Sequence, residues 1–119
     1  MTTAPTDDRT RELLDRVRTL LPDRHLREVR MFGVYAVMVD GAMAVAAHKD
    51  GSLLVRVDPA EDAALISRAH AARAEMGNGR SMGEGWIRVD ASALRTAAAL
   101  NQWVQAATRY LDSPKAATT

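Results

Sequence analysis

A chain of 119 residues has the size of one domain and buries about two thirds of the surface that its unfolded form exposes. Without cysteine it has no disulfide frame, no thiol nucleophile and no Cys-ligated zinc or iron–sulfur site, which fits a reducing cytoplasm. Sixteen basic residues against fifteen acidic ones leave a net charge of +1, so the electrostatic argument for a nucleic-acid partner is missing.

The hydrophobic share of 47% is swollen by 22 alanines, so the core is lean and must rest on close approach of helix to sheet. Residues 1–6 read as a disordered tail with neither the basic start nor the apolar centre of a secretory signal. A single domain then spans 7–112, followed by a second disordered tail over 113–119. Leu13, Leu14, Val17, Leu20 and Leu21 form one apolar stripe of an amphipathic helix over 7–21, stopped by Pro22. Its outer face interleaves Arg11 and Arg16 with Glu12 and Asp15. These make opposite-charge pairs four residues apart, so the face reads as self-paired and solvated rather than as a track for phosphates.

Residues 26–32 predict a strand, with Gly33 separating it from an apolar tract that runs to Ala47. Asp40-Gly41 breaks that tract at its centre. An Asp at mid-bilayer costs about 3 kcal/mol, which reads against a membrane span, while Asp-Gly between apolar runs is a strong hairpin signal. A two-residue turn there pairs Val39 with Ala42, Met38 with Met43 and Ala36 with Val45; a turn at 49–51 pairs Ala47 with Leu53 and Val45 with Val55. Alternation then puts Val34, Ala36, Met38, Met43, Val45, Ala47, Leu53, Val55 and Val57 on the face expected to lie under helices. The opposite face collects Tyr35, Val37, Val39, Ala42, Ala44, Ala46, His48, Ser52, Leu54 and Arg56. A solvated face normally alternates to polar residues. This one is half apolar, so it is either a contact surface or a face covered by a terminal helix.

Asp58-Pro59-Ala60-Glu61 is a helix start, and it predicts a helix over 59–75. The Gly-rich run from Met76 to Gly85 leaves that helix and enters the strand 86–89, the reverse of a phosphate-binding loop, and it lacks both G-x-G-x-x-G and Gly-Lys-Ser/Thr. A ligand loop of Asn78, Gly79, Arg80 and Ser81 is the less favoured reading, a structural connection the favoured one. Asp90 is expected to cap a last helix over 91–111 whose stripe of Leu94, Ala97, Leu100, Trp103, Val104, Ala107 and Leu111 is the main cover of the sheet. His25, His48 and His70 have no metal-ligand spacing, the serines lack a nucleophile elbow, and turns or caps account for Asp40, Asp50, Asp58 and Asp90. Neither catalytic residues nor a metal or cofactor site is therefore expected.

Arg30-Met31-Phe32-Gly33, a strand, Val39-Asp40-Gly41, a further strand and then Gly51-x-Leu53-x-Val55-x-Val57-Asp58 resemble the N-terminal domain of the TfoX/Sxy family. Met76-Gly77-Asn78, Arg80, Met82 and Gly85-Trp86 are similar to the matching stretch of short members. Val34 departs from the second glycine usual in the family, and the further C-terminal domain of the longer competence regulators has no counterpart in these 119 residues. The resemblance implies a cytoplasmic, non-catalytic α+β domain that acts on competence and DNA-uptake genes through partner proteins.

The expected fold is thus α+β and two-layered, an antiparallel sheet built on a β-meander with helices mainly on one face, in the order α-β-β-β-β-α-β-α. The expected activity is protein interaction, with a partner or with itself as a homodimer, through Tyr35, Val37, Val39, Ala44, Leu54 and Arg56. Direct nucleic-acid binding through Arg11, Arg18, Arg80 and Arg88, or a small ligand under the Gly-rich loop, is the alternative.

Overall fold

A computed structural model describes residues 8–31, 34–68, 71–74, 83 and 85–113. The leucine stripe forms α1 (Asp8–Leu20), in which Leu13, Leu14 and Val17 are buried together with Leu21 just beyond its end. The strands are β1 (Leu26–Met31), β2 (Val34–Val39), β3 (Ala42–Ala47), β4 (Leu53–Arg56), β5 (Ala71–Arg73) and β6 (Trp86–Val89). They form one antiparallel sheet in the order β1-β2-β3-β4-β6-β5. Two more helices, α2 (Asp62–Ile66) and α3 (Ala97–Leu111), complete the α+β fold. Asp40 and Gly41 both take positive φ, 51° and 93°, as a tight hairpin turn matched to strand twist demands.

All three helices pack on one face of the sheet. Leu14 and Val17 of α1, Leu65 of α2, and Leu100, Trp103, Val104 and Ala107 of α3 share a core with Val37, Val39, Val45, Leu53, Val55, Ile87 and Val89. Trp103 is 4% exposed and belongs to this core. A second, smaller cluster on the other face holds Ala36, Ala46, Leu54 and Ala74, with Val34, Met38, Met43 and Trp86 against it and no helical residue among them.

The expected assignment of faces is inverted along β2, and a β-bulge is the reason. Val39 pairs with Ala42 and Met38 with Met43 as expected, but the register then slips: Val37 faces Val45 and Ala36 faces Ala46, not Val45. Ala44 is the extra residue, and both it and its neighbour Val45 join the helix-covered core. Tyr35, Val37 and Val39 therefore turn toward the helices, and Val34, Ala36 and Met38 turn away. Beyond the bulge the expected register holds, with Ala47 opposite Leu53 and Val45 opposite Val55.

Two other expectations are corrected. In place of a helix over 59–75 there is a single 3₁₀ turn (Pro59–Glu61) whose N-terminal Ala60 N–H donates to Asp58 at 2.9 Å, then the five-residue α2, then strand β5. Alanine-rich residues 71–73 follow the hydrogen bonds offered by β6 rather than their own helix propensity. Asp90 precedes only the 3₁₀ turn Ala91–Ala93. The last helix begins six residues later than expected, at Ala97, where the Thr96 hydroxyl accepts from Ala99 N–H at 3.0 Å.

One buried carboxylate joins the short elements. Asp62, 1% exposed, accepts from Gly85 N–H at 2.9 Å and pairs with Arg73. Burial alone raises its pKa, but the bonds from Arg73 and Gly85 outweigh it and hold the carboxyl below the usual range. Gly85 sits at φ 92°, and a Cβ there would lie 2.8 Å from the Val57 carbonyl. Gly85→Ala is expected to cost about 1–3 kcal/mol through this strain, seen as a lower melting temperature with the folded-state spectrum kept.

The inverted faces make neighbouring residues behave oppositely. Val37→Glu buries an unpaired carboxylate, a loss of roughly 4 kcal/mol from a total of about 5–15, and is expected to lower the melting temperature sharply. Met38→Glu, on the other face, is expected to fold with a nearly unchanged melting curve by circular dichroism.

Candidate interaction surface

The face without helices is built by alternation on five strands. Val29 of β1 faces Ala36 of β2, Ala36 faces Ala46 of β3, Ala46 faces Leu54 of β4, and Leu54 faces Arg88 of β6. Ala36 and Ala46 are fully buried and form its floor. Val29, Val34, Met38, Met43 and Trp86 are partly exposed around them. The result is a surface that is apolar where a solvated sheet face normally alternates to polar residues.

Its charged end is organised by aromatic rings. The Arg56 guanidinium lies 4.5 Å from the Trp86 ring centre and 5.3 Å from that of Tyr110, and it donates to the Tyr110 hydroxyl at 3.4 Å. Tyr110 comes from the C-terminal turn of α3, so this stack ties the helix layer to the far face. Arg88 pairs with Asp50 in the β3–β4 turn. Hydrogen bonds from the Ser52 hydroxyl and N–H, with Arg88 beside them, outweigh burial and take the Asp50 carboxyl from the usual 3.8 to about 2. In the same turn burial pushes His48 below its usual 6.5, helped by Arg88 and opposed by Asp50.

Of the six residues expected to contact a partner, only Leu54 and Arg56 lie on this surface. Val37, Val39 and Ala44 are each 1% exposed within the helix-covered core, and Tyr35 packs against it. Residues the sequence reading placed under the helices, Val34, Met38 and Met43, stand here instead; the bulge has no signature in composition. Trp86 was read as the start of a strand and as part of the family resemblance, not as a contact residue. Its place opposite Arg56 is visible once β4 and β6 are known to pair.

The arginines of the alternative nucleic-acid reading do not form a single surface among the described residues. Arg11 and Arg18 both reach Glu28, at 2.6 and 2.8 Å, on the helix-covered side of β1, whereas Arg88 lies on the other face. Burial raises the pKa of Glu28, but hydrogen bonds from Arg11 and Arg18 lower it further and keep it ionised. Arg80, with Asn78, Gly79 and Ser81 of the less favoured ligand-loop reading, lies outside the described residues, as do Phe32, Gly33 and His70. A cleft of about 350 Å³ opens between α1 and residues 91–95, but Arg16 spends its guanidinium there on the Leu94 carbonyl, at 2.5 Å. Among the described residues no three His, Asp or Glu side chains gather as a metal site, and no helix is long and apolar enough to cross a membrane.

The family model of the TfoX N-terminal domain aligns with residues 20–110, from the end of α1 to the last turn of α3. The chain belongs to the TfoX N-terminal domain family. No curated protein and no solved structure matches it. The family is non-enzymatic and, at the level of the family, competence-related. Of the motif that carried the resemblance, Arg30 and Met31 end β1, and Val39-Asp40-Gly41 makes the hairpin turn.

The β3–β4 turn sets a pH dependence. Both His48 and Asp50 have depressed pKa values in the folded state, so for each the unfolded chain binds protons first as pH falls and stability drops on acidification. Urea midpoints are expected to be flat above about pH 7, to decline below 6.5 as His48 is driven to protonate, and to fall again below 4.5 as Glu28, Asp40, Asp50 and Asp62, all held below their usual values in the folded chain, take up protons. His48→Gln is expected to remove the first decline and keep the second.

Proposed function

We propose that this domain is a non-catalytic protein-interaction module of TfoX type and that it docks a partner protein on the helix-free face of its sheet. What supports this reading is the surface of Val34, Met38, Met43 and Trp86 around a floor of Ala36 and Ala46, on the side of the sheet that the three helices leave alone. Apolar area of this kind is matched by a partner surface that is apolar at its centre. Arg56, stacked on Trp86, supplies a cation at the margin for an acidic or carbonyl-rich rim. Family membership supports a role for that partner in the control of competence genes.

The reading is tested by affinity capture from the native cell with the wild-type domain, Met38→Glu and Met43→Glu at matched folded concentrations. The wild type is expected to retain a stoichiometric partner that both variants lose, with melting curves that differ little among the three. Retention of the same partner by both variants would place its binding elsewhere and remove this surface from consideration.

A further inference from the structure

β1 is the edge of the sheet, and among the described residues no strand pairs with its outer side. The direction of its backbone groups follows from one bond. Asp40 N–H donates to the His25 carbonyl at 2.9 Å, so His25 and Asp40 form a hydrogen-bonded pair, and in an antiparallel ladder such pairs alternate. Residues 27, 29 and 31 therefore spend their N–H and C=O groups on β2. The backbone groups of Leu26, Glu28 and Arg30 point outward, a template for one more strand.

The side chains beside that template are half-partnered. Arg11 and Arg18 both bind Oε2 of Glu28, and Oε1 has no partner among the described residues. Two positions along, Arg30 is exposed and lies over the Tyr35 ring at 5.7 Å, with no carboxylate paired to it among the described residues. We propose that β1 pairs antiparallel with β1 of a second copy of this chain about a two-fold axis at Val29, so that Glu28 of each copy faces Arg30 of the other.

Charge favours this register over two neighbouring ones. A two-fold axis at Glu28 sets like carboxylates against each other, and an axis at Arg27 sets like guanidiniums against each other; both are unfavourable for directly opposed residues. The axis at Val29 creates two opposite-charge pairs and joins Glu28 and Arg30 by backbone bonds through the outward groups of both. It also brings Val29 against its own copy in the closely spaced, non-hydrogen-bonded site. Val29 lies on the helix-free face, so this pairing runs that apolar face continuously across both copies. The pairing goes beyond the docking reading and does not depend on it, because it uses the strand edge and not the Met38 and Met43 surface.

Because the chain has no cysteine, a single introduced thiol reads the register directly. Opposed Cα atoms in the closely spaced site lie about 4.5 Å apart, within the range a disulfide spans. On mild oxidation of the full chain, Val29→Cys is expected to form a covalent dimer about tenfold faster than Arg27→Cys, since pairing raises the local thiol concentration. Adding Arg30→Glu to Val29→Cys opposes two carboxylates in each pair and is expected to bring the rate down to that of Arg27→Cys. Equal rates for Val29→Cys and Arg27→Cys, which is what an edge merely guarded by charge or reserved for another protein's strand would show, overturn the proposal. Faster crosslinking of Arg27→Cys overturns it too, as does a Val29→Cys rate that Arg30→Glu leaves unchanged.

Discussion

One extra residue in β3 constrains everything that follows. A strand that alternates strictly presents each side chain to a fixed face, and a one-residue slip moves all of them. By adding Ala44 to the ladder, β3 turns both Ala44 and Val45 toward the helices and changes which side of β2 is sealed. β2 tolerates this because it is apolar on both sides, with Tyr35, Val37 and Val39 one way and Val34, Ala36 and Met38 the other. The bulge puts Val37 and Val39 in the helix-covered core and leaves Met38 and Met43 outside it. Alanine suits the extra position, since it adds little volume beneath α3.

At the other end of the sheet the constraint is polar. The chain from α2 to β6 has little apolar area to hold it, because α2 is only Asp62–Ile66 and β5 only Ala71–Arg73. Asp62 compensates by collecting the Gly85 N–H and the Arg73 guanidinium, one group from each side of the excursion that separates β5 from β6. A buried carboxylate is stable there only while both donors stay in place. Gly85 must also lack a side chain for the chain to approach Val57. Surface ion pairs repeat the same device more weakly: Arg24 joins Asp40 of the hairpin turn to Asp112 after α3.

What the sequence disclosed and what it hid divide along a physical line. Elements governed by local chemistry were legible: the leucine spacing of α1, the positive-φ demand at Asp40-Gly41, the Asp58 cap with Pro59, and the burial of Trp103. Elements governed by non-local pairing were not. Ala71-Ala72 has high helix propensity and becomes a strand because β6 lies alongside. Thr96 caps α3 in place of Asp90 because Ala91–Ala93 first form a 3₁₀ turn, after which Arg16 of α1 holds the Leu94 carbonyl. The bulge leaves no trace in composition. That one sheet face is sealed and the other apolar was readable, whereas the residues occupying each could not be assigned along β2. The outward edge of β1 emerges only when a backbone bond fixes which residues face β2.

The account rests on β2 having opposite exposure at adjacent residues, and methyl NMR with a soluble paramagnetic agent measures that directly. Methyl resonances of Met38, Met43 and Val34 are predicted to broaden strongly while those of Val37, Val39 and Val45 are protected. Protection of Met38 and Met43 together with broadening of Val37 would contradict the bulge, and with it the assignment of the two faces.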